Sequence, residues 1–262
     1  MPEIIYPIRI NRYLSSQNIA SRREADRLIV ANKVKINGRL AKLGDQVNKD
    51  DQVEVDQVYL GAKEKSYQYL AFNKPKGVVT NTAKGQTAIS DLVNPVRSYP
   101  AGGTATAASP GRLASNGVKT RAKLVPMGRL DKESGGLIIL TNDTRVTGKL
   151  LSPEYNHEKE YLVKVDKSLT PMFQKQITAG VKLEDDWTKP CRLKKVKQDE
   201  FYLTLTEGKK HQIRRMCAAL GYQVKELRRV RIMNIELGKL KPGEWREITG
   251  SEKDQFLNSL NS

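Results

Sequence analysis

The longest unbroken run of large aliphatic side chains in the sequence is Leu137-Ile138-Ile139-Leu140. It is entered through Gly135-Gly136 and left through Asn142-Asp143. Four apolar residues between turn signals read as a strand buried on both faces, far short of the roughly 20 needed to cross a bilayer. The chain must therefore build its core from short pieces. Tyr67 to Phe72, Val78-Val79-Thr80, His157 to Val165, 191–206 and 230–248 all read as strands, and Ile213, Met216, Cys217 and Leu220 fall at i, i+3, i+4 and i+7 of a helix over 209–220, stopped by Gly221. Thr170-Pro171 opens another helix, with a cap residue followed by proline at the first position. The sum is an α+β chain with a mixed sheet and no repeat.

The first 60 residues read differently. Ile8 to Ala20 has loose helical periodicity, and Ser21-Arg22-Arg23-Glu24 has the spacing of a capping box before Ala25, Leu28 and Ile29. That cap leaves Arg22 and Arg23 outward at a helix N-terminus, where free amides also favour an anion. Val34-Lys35-Ile36, the tight turn Asn37-Gly38 and Val53-Glu54-Val55 complete a helix–helix–strand–strand module. The polar run 61–65 reads as a linker. Residues 97–124, rich in Ala, Gly, Ser, Thr and Pro around 98–117, cannot bury much apolar area and read as a mobile insertion.

Charge narrows the partner. Lys and Arg number 46 against 29 acids, a formal net charge of +17. The excess is concentrated, with 13 basic and four acidic residues in 189–231 and five basic residues and no acid in 97–124. Concentrated positive charge calls for a polyanion, and the lack of an apolar span favours nucleic acid over membrane. The N-terminal MPEIIYPIRINRYL is too poor in apolar residues for a secretory signal, and Cys191 and Cys217 form no CxxC, so a reducing cytoplasm is the expected home. Two cysteines and two scattered histidines lack zinc-ligand spacing, so no metal is expected. Neither GxxxxGK[ST] nor a strand-borne GxGxxG is present, and HxE with PCxxC is missing, which excludes phosphate-loop, dinucleotide and zinc-deaminase chemistry. Any catalysis would use side chains alone, with no cofactor.

One segment has the look of a site. Pro126 to Gly136, PMGRLDKESGG, sets Asp131 at the mouth of the buried strand, with glycines that let a ligand or a second backbone approach. By itself this is equally a turn in which Asp131 caps local amides. A desolvated carboxylate that must stay anionic needs a cation beside it, and Arg214 or Arg215 on the amphipathic helix could supply one. Tyr161 offers an aromatic face for a base taken out of its stack.

With GRLD at Gly128–Asp131, KEY at Lys159–Tyr161 and EGKKHQIRRM at Glu207–Met216, the chain resembles the RsuA/RluB/RluE/RluF family of pseudouridine synthases. Residues 9–56, with SRREADRLI and KVKINGR, resemble the RNA-binding module first seen in small-subunit ribosomal protein four. HEKEYLVKVDK (157–167) and RVRIMN (229–234) look closest to the RluF branch, which acts on 23S rRNA. The resemblance implies a small RNA-binding module (1–64, linker included) followed by a mixed, mainly antiparallel synthase domain (65–262). It implies cofactor-free isomerisation of an rRNA uridine by a monomer, in which the N1–C1′ bond breaks, the uracil rotates and C5 rejoins C1′. Asp131 would act at the sugar as base or nucleophile, Tyr161 would stack on the base and serve the proton step, and Arg214 would be the ion-pair partner of Asp131. Arg129 would fill the space the flipped nucleotide leaves, and Ile213 would pack beneath the base or simply in the core. Arg9, Arg22, Arg23, Lys33, Asn37 and Gly38 would meet RNA. The rivals are a non-catalytic RNA-binding or ribosome-assembly protein, the same chemistry on 16S rRNA or tRNA, and a glycosidase using Asp131 with Glu133, whose two carboxylates are poorly placed to converge.

Overall fold

A computed structural model describes residues 5–17, 19–56, 67–81, 84–93, 124–143, 146–184 and 186–260. The expected linker at 61–65 and nearly all of the expected insertion at 97–124 lie outside these residues. The chain forms two compact units. One is Met1–Tyr67 with Asp143–Lys149 and residues 261–262, and the other is Gln68–Asn142 with Leu150–Leu260.

In the first unit, strand β1 (Ile8–Arg9) leads into a helix, Ile10–Ser16, shorter than the periodicity predicts. A second helix, Arg22–Val30, starts where the cap residue requires: Ser21 Oγ accepts from the Glu24 N–H at 3.2 Å. The Glu24 carboxylate does not appear in the reciprocal half of the capping box; its Oε2 takes Arg27 Nη1 at 3.2 Å. Strands β2 (Val34–Ile36) and β3 (Arg39–Leu40) form a hairpin whose turn residues Asn37 and Gly38 have φ of 50° and 77°. Both central residues at positive φ is the geometry that Asn-Gly favours. Strand β4 (Gln46–Val47) pairs with β1, and β5 (Val53–Val55) pairs with β2. Ile10, Leu14, Ala25, Leu28, Ile29, Val34 and Val47 close a core in which each is at most 2% exposed.

The second unit is built on one mixed sheet. Its strands are β6 (Tyr69–Lys74), β7 (Val125–Met127), β8 (Gly135–Thr141), β9 (Lys159–Val165), β10 (Arg192–Lys195), β11 (Glu200–Leu205), β12 (Val224–Ile232), β13 (Ile235–Glu236) and β14 (Trp245–Glu247). The order is β10-β11-β9-β12-β8-β6-β14, with β13 on β12 and β7 on β8. Every pairing is antiparallel except β12 with β8. The apolar run that dominates the sequence is thus a central strand, as its lack of a polar face demands. Val78 to Thr80 does not form the expected strand; only Val79 makes a single-residue bridge, to Ala88.

Two helices cover the β9–β11 half of the sheet. Pro171–Ala179 starts at Thr170, whose Oγ1 accepts from the Phe173 N–H at 3.1 Å. Gln212–Ala219 buries Ile213, Met216 and Cys217 against Val163, Phe201 and Leu203. The latter helix is shorter than 209–220 because its entry residue, His211, sits at φ 51°, outside helical geometry. Strand β12 begins at Val224, six residues before its expected start.

One contact fixes how the sheet closes around the site. Gly136, at φ 101°, faces the backbone of β12 so closely that a Cβ there would stand 2.2 Å from the Arg229 carbonyl oxygen. Only glycine permits β12 to approach β8, and this approach sets Arg229 in place.

Candidate active site

Asp131 lies in the loop Gly128–Ser134, between β7 and β8, and that loop is held from several sides. Buried Thr80 clamps Leu130 twice: its Oγ1 donates to the Leu130 carbonyl at 2.7 Å and accepts from the Leu130 N–H at 3.0 Å. The Gly77 N–H donates to the Lys132 carbonyl at 2.8 Å, and the Ser134 N–H donates to the Asp131 carbonyl at 3.0 Å. Arg214 Nη2 donates to the Glu133 carbonyl at 3.0 Å. A loop fixed at four consecutive carbonyls presents its carboxylate with little freedom, which is what a reacting group needs.

The second wall is the loop after β11. Glu207, 8% exposed, accepts at Oε1 from the Lys189 N–H (2.9 Å) and from Gln212 Nε2 (2.6 Å), while Gln212 Oε1 accepts from the Lys209 N–H (2.9 Å). This network delivers His211 to the rim, where its Nδ1 lies 3.2 Å from Asp131 Oδ2. Between the walls is a cleft of about 670 Å³ lined by Arg129, Asp131, Tyr161, His211, Ile213 and Arg229, among others. That volume falls in the range of roughly 300–1,000 Å³ typical of small-molecule pockets, enough for one flipped nucleotide. The floor is the sheet itself. Tyr161 on β9 is the direct cross-strand partner of Arg229 on β12 and of Leu203 on β11.

The residues expected from the sequence are distributed as follows. Asp131, Tyr161, Arg129 and Ile213 converge on the one cleft, with Arg129 exposed at its edge and Ile213 buried at 4%. The ion pair expected of Arg214 is corrected. Its guanidinium donates to the Val224 and Glu133 carbonyls at 3.2 and 3.0 Å, and among the described residues the side-chain nitrogen that lies within 4 Å of the Asp131 carboxylate and can carry charge is Nδ1 of His211. The premise of that expectation also fails, because the Asp131 side chain keeps 37% of its surface exposed and is not desolvated. Arg9, Arg22 and Arg23 are exposed. Lys33 is committed to Asp56 at 2.8 Å. Asn37 ties its own turn to Asp51 and to the Gln52 N–H at 2.9 and 2.8 Å, so its part is structural.

Sequence reasoning missed His211, Lys159, Ser134, Lys74 and Arg229. Lys74, 1% exposed, donates from Nζ to the Pro75 and Val78 carbonyls at 2.9 and 2.6 Å, and burial pulls it down from 10.5 to about 8. Lys159, whose Nζ donates to the His157 carbonyl at 3.1 Å, is pulled to about 8 by burial and then by the Arg229 charge. A signal existed for some of them, since Lys159, His211 and Arg229 stand inside the very motifs that carry the family resemblance.

A model of the RNA pseudouridylate synthase family matches residues 68–219, and an S4 domain model matches residues 8–53. The chain belongs to the RNA pseudouridylate synthase family; it is an isomerase that acts on RNA, with an α+β fold carrying an N-terminal S4 domain. It is 40% identical over 247 residues to the Escherichia coli (strain K12) dual-specificity RNA pseudouridine synthase RluF, covering 94% of this chain and 77% of that one. It is 31% identical to the ribosomal large subunit pseudouridine synthase B of Bacillus subtilis (strain 168), over 93% of each chain. Among solved structures, a crystal structure of pseudouridylate synthase aligns with a TM-score of 0.63 at 27% identity, covering 97% of this chain and 99% of that one. Among the described residues no helix is long and apolar enough to cross a membrane.

Proposed function

We propose that this protein converts a uridine of large-subunit (23S) ribosomal RNA to pseudouridine by cofactor-free, aspartate-dependent chemistry, acting as a monomer in the cytoplasm. The observation that carries the reading is the meeting of Asp131 and Tyr161 in one cleft with a cationic floor. A uridine everted into that cleft stacks its base on Tyr161, with Ile213 packed beneath, and turns its ribose toward Asp131 at the rim. Eversion costs a few kcal/mol of stacking, which base–aromatic contact and cationic contacts to the backbone offset. Asp131 then acts at the sugar, as nucleophile or base, while Tyr161 serves the proton step at C5. Arg214 is a positioning residue that holds the loop of Asp131 through the Glu133 carbonyl. Arg129, exposed at the edge, takes the place the nucleotide vacates.

We place the division between the RNA-binding module with its linker and the synthase domain at about residues 64 and 65. Arg9, Arg22 and Arg23 give the module an exposed cationic surface suited to phosphates, and the Asn37-Gly38 turn shapes its hairpin. A large-subunit target is favoured by the B. subtilis relative, named for the ribosomal large subunit. The words "dual-specificity" in the RluF name favour a second RNA, and tRNA is the candidate. The test is a pseudouridine map of total RNA from cells with and without the gene. The reading requires at least one 23S position to lose its modification and to regain it on complementation by the wild-type chain but not by Asp131→Asn. A map whose changed positions lie solely in 16S rRNA or tRNA would overturn the target.

A further inference from the structure

Three cations stand beneath the Asp131 loop with no carboxylate within ion-pair distance among the described residues, although the Asp131 and Glu133 charges reach Lys74. Lys74 and Lys159 give their hydrogen bonds to main-chain carbonyls. Arg229, 4% exposed, donates from Nε to the Leu137 carbonyl at 2.7 Å, and its Nη2 is buried with no partner among the described residues. Ser134, 1% exposed, likewise has a buried Oγ with no partner. Both residues line the cleft. Burying a cation is costly unless an opposite charge compensates, and a buried donor without an acceptor adds to that cost. A fold tolerates both only where something else supplies the negative charge, and here the uncompensated atoms sit around a cavity of nucleotide size.

We propose that Arg229 Nη2 and Ser134 Oγ bind the carbonyl oxygens of the uracil as it leaves C1′, making the cleft floor a site for the uracilate anion. The proposal rests on uridine isomerisation in this cleft. When the N1–C1′ bond breaks, its electron pair stays on N1, and the charge spreads to O2 and O4. C5 of the rotated base then bonds to C1′, gives up its proton, and N1 takes up a proton from solvent, so atoms and charge balance. Charge appears on the base only during this step. Donors fixed beforehand in a water-excluded site stabilise that state more than the bound uridine, which raises the rate without tightening binding. The position favours the base over a backbone phosphate. Arg229 is nearly inaccessible and stands beside Tyr161 on the sheet, whereas exposed Arg129 and Lys210 occupy the rim where a phosphate backbone would run.

The experiment measures single-turnover rate and RNA dissociation constant for the wild-type chain, Arg229→Gln and Ser134→Ala. The substrate is a transcript of the RNA segment in which the wild-type enzyme forms pseudouridine in gene-deleted total RNA, made once with uridine, where the rate is that of pseudouridine formation, and once with 5-fluorouridine, which has no C5 proton to release and where the rate is that of N1–C1′ cleavage, read as loss of 5-fluorouridine from nuclease digests. Failure of the wild-type chain to form pseudouridine in any RNA refutes uridine isomerisation itself, whereas a target outside 23S rRNA changes the transcript and leaves the comparison of variants intact. The expected result for Arg229→Gln is a rate about 100-fold lower with affinity within about twofold of wild type, and for Ser134→Ala a rate about tenfold lower. Fluorine stabilises the departing anion, so the Arg229→Gln defect shrinks to about tenfold or less on the fluorinated transcript. Weaker binding with a wild-type rate at saturation would assign Arg229 to a phosphate. An equal defect on both transcripts, accompanied by a fall in melting temperature and a wild-type rate for Ser134→Ala, would make Arg229 a clamp on Leu137. Either result overturns the proposal.

Discussion

The positive charge of this molecule comes in two kinds that sit in opposite surroundings. In the N-terminal unit, Arg9, Arg22 and Arg23 are open to water and free of packing demands. In the synthase unit, Lys74 and Arg229 are at most 4% exposed, and Lys159 is held on the sheet floor. Exposed cations act over a Debye length of about 8 Å at physiological salt and are weakened by more salt. They gather a phosphate backbone but tell one moment of a reaction from another poorly. Buried cations are little screened, cost the fold stability, and respond to charge that appears within their reach. One set suits affinity and the other suits chemistry, although a composition count merges them into a single +17.

If that separation is right, the largest effects come from the cleft and leave affinity alone. Asp131→Asn keeps the shape of the loop and removes the carboxylate proposed to react. Its single-turnover rate should fall by about 1,000-fold or more, with RNA affinity within about twofold of wild type. A comparable loss of affinity would mean that the cleft is a binding surface and that the two kinds of charge are not divided by task. Next in size is Gly136→Ala. A methyl group 2.2 Å from the Arg229 carbonyl, on a backbone at φ 101°, forces β12 away from β8. We expect a loss of about 3 kcal/mol in stability, read by denaturant unfolding, and a low rate in whatever fraction stays folded. Unchanged stability would show that β12 needs no such approach to place Arg229.

The two kinds of charge were also unequally legible in the sequence. Asp131 at the mouth of an apolar strand, Tyr161 on an alternating strand and the Ile213–Met216–Cys217 stripe follow from local patterns, because period and turn chemistry are local properties. Ser21 and Thr170 began their helices because a cap is decided within three residues. Arg229 and Lys74 were passed over because lysine and arginine read as solvent-facing unless tertiary structure buries them. Their burial depends on β12 pairing with β8 and β8 with β6, contacts 92 and about 60 residues apart in sequence that no window can see. Arg214 failed in a different way. The expectation of an ion pair assumed a buried Asp131, and that carboxylate sits at a partly open rim beside His211, whose left-handed backbone is invisible to periodicity. Val78 to Thr80 looked like a strand by composition, yet Thr80 is spent on clamping Leu130.

The exposed set should yield smaller effects of the opposite kind. Replacing Arg22 and Arg23 together with alanine is expected to weaken RNA binding about tenfold at physiological salt and to leave the rate at saturation unchanged. If each arginine meets one phosphate, the slope of log K against log salt becomes shallower by about 1.4–1.8. Filter binding across a salt series reads both quantities, and a slope identical to wild type would remove these arginines from the interface.

The smallest effect tests whether the buried set strains the fold. Lys74 is pulled down from 10.5 to about 8 in the folded chain, chiefly by burial, with Asp131 and Glu133 opposing the fall. Between those two values the unfolded chain binds the proton more fully than the folded one, so unfolding takes up protons and stability rises as pH climbs through the window. Below about pH 8 the lysine is charged in both states, and the fold carries the full cost of burying it. Lys74→Met removes the titrating group while keeping a long side chain in its place. Wild type should therefore gain melting temperature relative to this variant between about pH 8 and pH 10.5, by about 2–4 °C for each kcal/mol recovered. Parallel melting curves across that window would mean that the carbonyls of Pro75 and Val78 hold the ammonium as well as water does. Lys74 would then belong energetically with the exposed arginines, and the contrast between the two kinds of charge would narrow to Lys159 and Arg229.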